Sequence, residues 1–219
     1  ATTDIYTLSL HDALPIFREE TMQRLVDCIM KGGKMKQSAF SILGAALLLL
    51  AASPPASDET AAADAASRFA TRLKTALSQS IQEGGFSGAI EVCHIQAPKI
   101  AEDISRETGM RIRRVSLKAR NVSNRPDPWE IKVLREFETL LSKGDPPESL
   151  VRSEIVESGK TREFRYMKGI VTQGLCLNCH GKEIPAEVKT KLEELYPDDG
   201  ARGHQVGDLR GAFSLRKNL

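Results

Sequence analysis

Aromatic residues are scarce in this chain, at 5 % with a single tryptophan, so side-chain rings cannot supply much of an interior. An excess of one charge is also lacking: 31 Lys and Arg stand against 29 Asp and Glu. No basic stripe runs along the sequence, which argues against a nucleic-acid partner. The apolar run Ala39 to Ala52 falls short of the roughly 20 residues needed to cross a bilayer unaided, so no stable membrane span is expected. Internal repeats are absent, and so is a second Cys/His pair at ligand spacing that would complete a structural zinc site. The four cysteines are too few for a disulfide scaffold.

Two of those cysteines carry the chemistry. Cys176-Leu177-Asn178-Cys179-His180 is a C-x-x-C-H pentapeptide, the attachment signature of c-type haem. Two thiols three positions apart on one helical turn can both add to the vinyl groups of one porphyrin. The adjacent His180 then presents an imidazole to the iron from the same side. A redox dithiol usually opens the helix of a βαβ unit, and the residues around Leu175 do not read that way. Covalent haem c with its iron is therefore the expected cofactor, and the macrocycle itself fills part of an interior poor in rings.

The N-terminal region agrees with that chemistry. Met35-Lys36 opens a short basic start, Ala39 to Ala52 is almost wholly apolar, and Ser53-Pro54-Pro55-Ala56 is a small-residue exit. Residues 35–56 thus read as a secretory signal, which places the mature protein in the periplasm or otherwise outside the cytoplasm. Residues 1–34 make no sense ahead of a signal, and Asp4 to Ile16 resembles translated sequencing-adapter read-through. They read as non-native, with Met35 the expected start. Residues 57–65, rich in Ala, Ser, Asp and Glu, read as a solvated linker. Residues 66–219 remain as one domain, with material for a single core.

Within that domain Ala66, Phe69, Leu73, Leu77 and Ile81 recur at helical spacing until Gly84-Gly85 stops them. Phe86 to Ile100 carries a second helical stretch, and Pro98 starts a third that Gly109 ends. Met110 to Leu117 reads as a strand. Asp127-Pro128 caps a helix bearing Trp129, Val133, Leu134, Phe137 and Leu141. Val151 to Val156, a turn at Ser158-Gly159-Lys160, and Phe164 to Thr172 form a β-hairpin that leads into the haem motif. A further helix around Val188, Leu192, Leu195 and Tyr196 precedes a last strand, Gly211 to Leu215. Helices followed by antiparallel strands predict an α+β fold with one sheet face covered.

Signal removal leaves Cys93 as an odd thiol. It has two readings of equal weight. Its helical neighbours Phe86, Ala89, Ile90, Ala97 and Ile100 favour a small buried hydrophobe. A thiolate on the distal side of the iron would instead stabilise the ferric state. His94, His204 and Met167 are weaker distal candidates, with His204 expected in an exposed loop. In the basic run Arg111, Arg113, Arg114, Lys118, Arg120, alternation fits a solvated strand edge. At least one arginine, with Arg113 and Arg114 the candidates, is expected to meet a haem propionate, because a planar guanidinium matches a carboxylate fork. Asp208 and Arg210 suggest a loop-fixing ion pair, and Trp129 a core residue.

Five ordered blocks carry a family resemblance. They are Ala89-Ile90-Glu91-Val92-Cys93 with Ala97-Pro98-Lys99-Ile100-Ala101; Arg113 to Asn121; Pro126-Asp127-Pro128-Trp129-Glu130; Cys176 to Gly181; and Gly207 to Ser214. The stretch from about Ala66 to Leu215 resembles the haem-binding PAS-like domains, a family of unknown function. These occur in cyanobacterial c-type cytochromes and as sensory inputs of bacterial signalling proteins. The resemblance implies a PAS-like antiparallel sheet with N-terminal helices. It also implies haem c between a histidine and a cysteine thiolate, roles that fall on His180 and Cys93. Two positions depart from the pattern: Ala119 stands where proline is expected, and His204 where an aromatic is usual.

The expected activity is a redox or small-ligand sensor, with CO or NO entering if Cys93 leaves the iron on reduction. A chain that stops at Leu219 with no output module would signal through a redox partner or a membrane signalling protein. That same ending favours the alternative of a small periplasmic electron-transfer cytochrome. An enzyme is not expected, because a peroxidase needs an open distal site with an acid–base group, for which only His94 or His204 qualifies.

Overall fold

The computed structural model describes residues 56–219 apart from Lys160. The expected read-through over 1–34 and the signal up to Pro55 lie outside the described residues. Helix α1, Ala56–Glu91, is interrupted at Gly85, whose φ of 67° and ψ of −169° are non-helical, in agreement with the stop expected there. A π-helical turn, Val92–Gln96, joins it to α2, Ala97–Thr108. Pro98 sits in the first turn of α2, where its missing N–H costs nothing, and Gly109 closes the helix at φ 69°. The segment 57–65 is not a linker. It is the first part of α1, with Ala62 and Ala65 fully buried. Alanine is the strongest helix former and lets helix and sheet approach closely, so an Ala-rich stretch that scores as polar is packed here.

Strand β1, Arg111–Val115, precedes α3, Pro128–Ser142. Asp127 and Glu130 form a reciprocal capping box at the start of α3: the Glu130 N–H donates to Asp127 at 2.9 Å, and the Asp127 N–H to Glu130 at 2.8 Å. Strands β2, Val151–Ser158, and β3, Thr161–Val171, make the expected hairpin, with Ser158 opposite Thr161. The C-x-x-C-H motif follows, its last four residues forming a single helical turn, α4, Leu177–His180, then α5, Ala186–Leu195, and β4, Leu209–Asn218. The sheet order is β1-β4-β3-β2, antiparallel throughout, so the last strand lies inside the sheet between β1 and β3.

Both faces of the sheet are covered, where one was expected. Phe164, Tyr166, Ile112, Phe213 and Leu215 pack under Phe69, Leu73 and Ile104 of α1 and α2. The alternate residues Val115, Met167 and Ala212 pack under Val133, Leu134 and Phe137 of α3. A third cluster joins Ile90, past the break in α1, to Val188, Leu192 and Tyr196, with Phe86 and Cys179 against it. That cluster seats the cysteine motif beside the second arm of α1. Among the described residues no helix is long and apolar enough to cross a membrane.

Candidate functional site

The motif is fixed at both ends by backbone pairing. Thr172 at the end of β3 donates its N–H to Asp208 O at 2.8 Å and accepts from the Gly207 N–H at 3.0 Å. Beyond the motif, His204 and Gly203 donate to the carbonyls of His180 and Gly181, each at 2.9 Å. Gly181 must be glycine: a Cβ there would lie 2.6 Å from Leu177 O, the acceptor of its own N–H. Within the turn the Gln173 N–H points at Cys176 Sγ, 3.4 Å away.

His180 Nδ1 lies 2.9 Å from Ala201 O. A carbonyl only accepts, so Nδ1 carries the proton and the Nε2 lone pair is left for a ligand bond. Burial holds the His180 pKa well below the usual imidazole range, helped by the Arg210 and Arg120 charges against the opposing Ala201 bond. The ring is therefore neutral, as a metal ligand must be. Burial pushes the Cys179 thiol up to about 11, more than Arg120 pulls it down. Among the described residues no group of three or more His, Cys, Asp or Glu is placed to hold a metal ion by side chains alone.

Cys93 stands on the π-helical turn, half-buried, next to the fully buried Val92. It comes close enough to Cys179, Tyr196 and Arg210 to bias the ionisation of each. The fold thus brings the odd thiol to the motif from 83 residues away in sequence, as the count from 93 to 176 gives. A π-helical turn inserts an extra residue per turn and recurs at functional sites. His94 is exposed, its ring edge-on to Tyr196 at 5.2 Å. Met167 is fully buried in the cluster under α3, on the far face of the sheet. His204 is not the exposed loop residue expected. It is 4 % exposed, and its ring stands edge-on to His180 with centroids 6.3 Å apart.

The arginines divide between the two faces. Arg113 donates to Glu130 and to the carbonyls of Ser123 and Arg125, so it is engaged beneath α3 and is not available to the site. Arg114, one residue on, points the other way, and its charge bears on Tyr196 and Arg210. Trp129 also lies on the α3 side, its Nε1 donating to Glu154 at 3.0 Å. Two arginines that sequence reasoning did not assign to the site belong to it. Arg120 is 8 % exposed and ties the motif to its flank: Nε donates to Asp199 at 3.0 Å, and Nη2 donates to Cys179 O. Arg210 does not pair with Asp208, which accepts from the Gln205 N–H at 2.7 Å instead. Its Nη1 donates to Ser116 Oγ at 3.2 Å. Burial and the Arg114 and Arg120 charges push Arg210 down to about 10, still fully charged at neutral pH.

The donor set fits a haem. Two thiols and an imidazole lie within one C-x-x-C-H motif, a third thiol on another element comes near Cys179, and guanidinium charge stands beside them. Comparison with known proteins gives the family and the fold. The model of the Tll0287-like family matches residues 51–217. Among solved structures the chain is similar to the cyanobacterial haem protein Tll0287, at 24 % identity and a TM-score of 0.57. The match covers 76 % of this chain and 98 % of that one. Among curated proteins there is no match.

Proposed function

The chain belongs to the Tll0287-like family, and on that footing we propose that it is an exported, non-enzymatic haem protein that senses redox state or a small ligand. Cys176 and Cys179 add their S–H bonds across the two vinyl groups of one haem, sulfur to carbon and hydrogen to the neighbouring carbon, with no oxidant consumed. His180, through Nε2, and the Cys93 thiolate would hold the iron. When bound, the group supplies one-electron chemistry at its iron. The observation that supports this reading is that Cys93, on a different element, comes near Cys179, while the neighbouring His180 imidazole has the tautomer that leaves Nε2 unprotonated.

A Cys93 thiolate would favour ferric iron, and its release on reduction would leave room for CO or NO. Spectra of the exported protein should show six-coordinate, low-spin ferric haem with thiolate character. In Cys93→Ala the ferric haem is expected to turn high-spin, or to recruit His94 from its place against Tyr196. Unchanged ligand bands in that variant would refute the assignment. Denatured protein without a pyridine haemochrome band would refute covalent haem altogether.

A second reading, a small electron-transfer cytochrome, draws on Leu175, which flanks the motif and is 58 % exposed where a redox partner would touch. Rapid electron exchange with a second cytochrome, without any response to CO or NO, decides for that reading.

A further inference from the structure

Two positive charges at the site have no ion-pair partner among the described residues. Arg120 is neutralised by Asp199, which also takes Arg202 at 3.0 Å. Arg113, Arg165 and Arg216 are met by Glu130 and Asp127 on the other face. Among the described residues Arg114 and Arg210 have no ion pair, although both are half-buried and the Arg114 charge bears on Arg210. Like charges brought together away from bulk water destabilise a fold unless something anionic joins them. The backbone goes out of its way to bring them together. The β3–β4 register runs Ile170 opposite Gly211 and then Val171 opposite Leu209, so Arg210 is the unmatched residue of a β-bulge. In an unbroken register Arg210 would share the face of Ala212 and Ser214, under α3. With the bulge, its Nη1 donates to Ser116 Oγ at 3.2 Å, its charge bears on His180, and the Arg114 charge bears on it.

We infer that Arg114 and Arg210 form the seat of the two haem propionates, one guanidinium for each carboxylate. This rests on the haem reading above. The charge balance is two against two, and a guanidinium fork receives a carboxylate by paired N–H bonds where lysine offers only a point charge. A single thiolate at Cys93 would call for one such partner, not two.

The test is made on purified holoprotein after pyridine haemochrome assay, which reports the haem reading separately. Wild-type protein lacking haem would fail that reading; the measurements below address the arginines alone. Arg114→Gln and Arg210→Gln are each expected to lower the reduction potential, and the double variant to lower it further, because an uncompensated propionate favours ferric iron. The propionate bending bands in the resonance Raman spectrum should shift in both. Arg210→Lys should keep most of the potential while still shifting those bands, since charge is retained and the fork is lost. Arg113→Gln, one residue along the same strand but engaged by Glu130, should move neither quantity. Unmoved propionate bands in Arg114→Gln and Arg210→Lys would overturn the assignment. So would a shift confined to the iron–thiolate bands, which would show the arginines serving Cys93.

Discussion

Glu130→Ala is expected to lose about 3–5 kcal/mol of folding stability, the range found when one member of a buried ion pair is removed. In a domain of this size that lowers the melting temperature by on the order of 10 °C. The Glu130 side chain is fully buried. It receives Arg113, Arg216 at 3.1 Å, the Ser214 hydroxyl at 2.7 Å and the Asp127 N–H at 2.8 Å. Asp127 takes Arg165 and Arg216, each at 2.6 Å. Glu163 adds a longer contact to Arg165 at 3.6 Å, so three carboxylates serve three guanidiniums and removing Glu130, the most buried of them, leaves two. Glu130→Gln retains an acceptor for Ser214 and should cost less.

The pH dependence follows from the same contacts. Burial raises the Glu130 pKa, yet the Ser214 bond, the Asp127 N–H and the arginines outweigh it and hold the carboxyl below its usual range. The contribution is therefore complete above the ordinary glutamate pKa of about 4.3 and is lost as pH falls through the depressed folded value. Denaturant melts of wild type and Glu130→Gln should converge as the pH is lowered into that region. The network lies under α3, so the Glu130→Gln haem spectrum should match wild type. A loss below about 1 kcal/mol in Glu130→Ala would show that the arginines find other partners.

Local signals were legible because local chemistry sets them. Gly85, Gly109, Pro98 and the Asp127 cap act through their own dihedrals or hydrogen bonds, and each ends or begins an element where expected. The cysteine spacing is likewise a local geometry. The segment 57–65 misled because composition counts its acids and serine, while its alanines at helical spacing do the packing. What failed was the assignment of faces. Alternation says that Arg113 and Arg114 point apart, but only the partners across the sheet say which one meets the site. The Asp208–Arg210 pair failed for the same reason: a bulge is not visible in the residues that form it. His204 looked exposed because it follows Gly203 in a loop, yet its N–H bond to His180 O folds that loop onto the motif.

Gly211→Ala tests how far the site depends on that bulge, and its cost is expected to be about 2–6 kcal/mol, from backbone strain and overpacking together. At φ 151° the backbone is in a region that side-chain-bearing residues rarely enter. A Cβ built there lies 2.3 Å from Val115 O and 3.1 Å from Ser116 Cβ. Neither can give way cheaply. Val115 is paired opposite Ala212, and Ser116 is 6 % exposed and bonded to Arg210 O at 2.8 Å. Relief requires β1 and β4 to part at this end, or the bulge to disappear. Either change takes Arg210 away from Arg114, so the reduction potential should fall alongside stability, as in Arg210→Gln. Gly109→Ala is the contrasting case. Its φ of 69° is equally unsuited to alanine, but no atom lies within 4 Å of the added methyl, so only about 1 kcal/mol is expected and no change in potential. Thermal melts and redox titrations of the two holoproteins separate strain alone from strain that moves an arginine. Equal melting temperatures, or an unshifted potential in a destabilised Gly211→Ala, would show that the bulge shapes the strand pair without setting the charge beside the thiols.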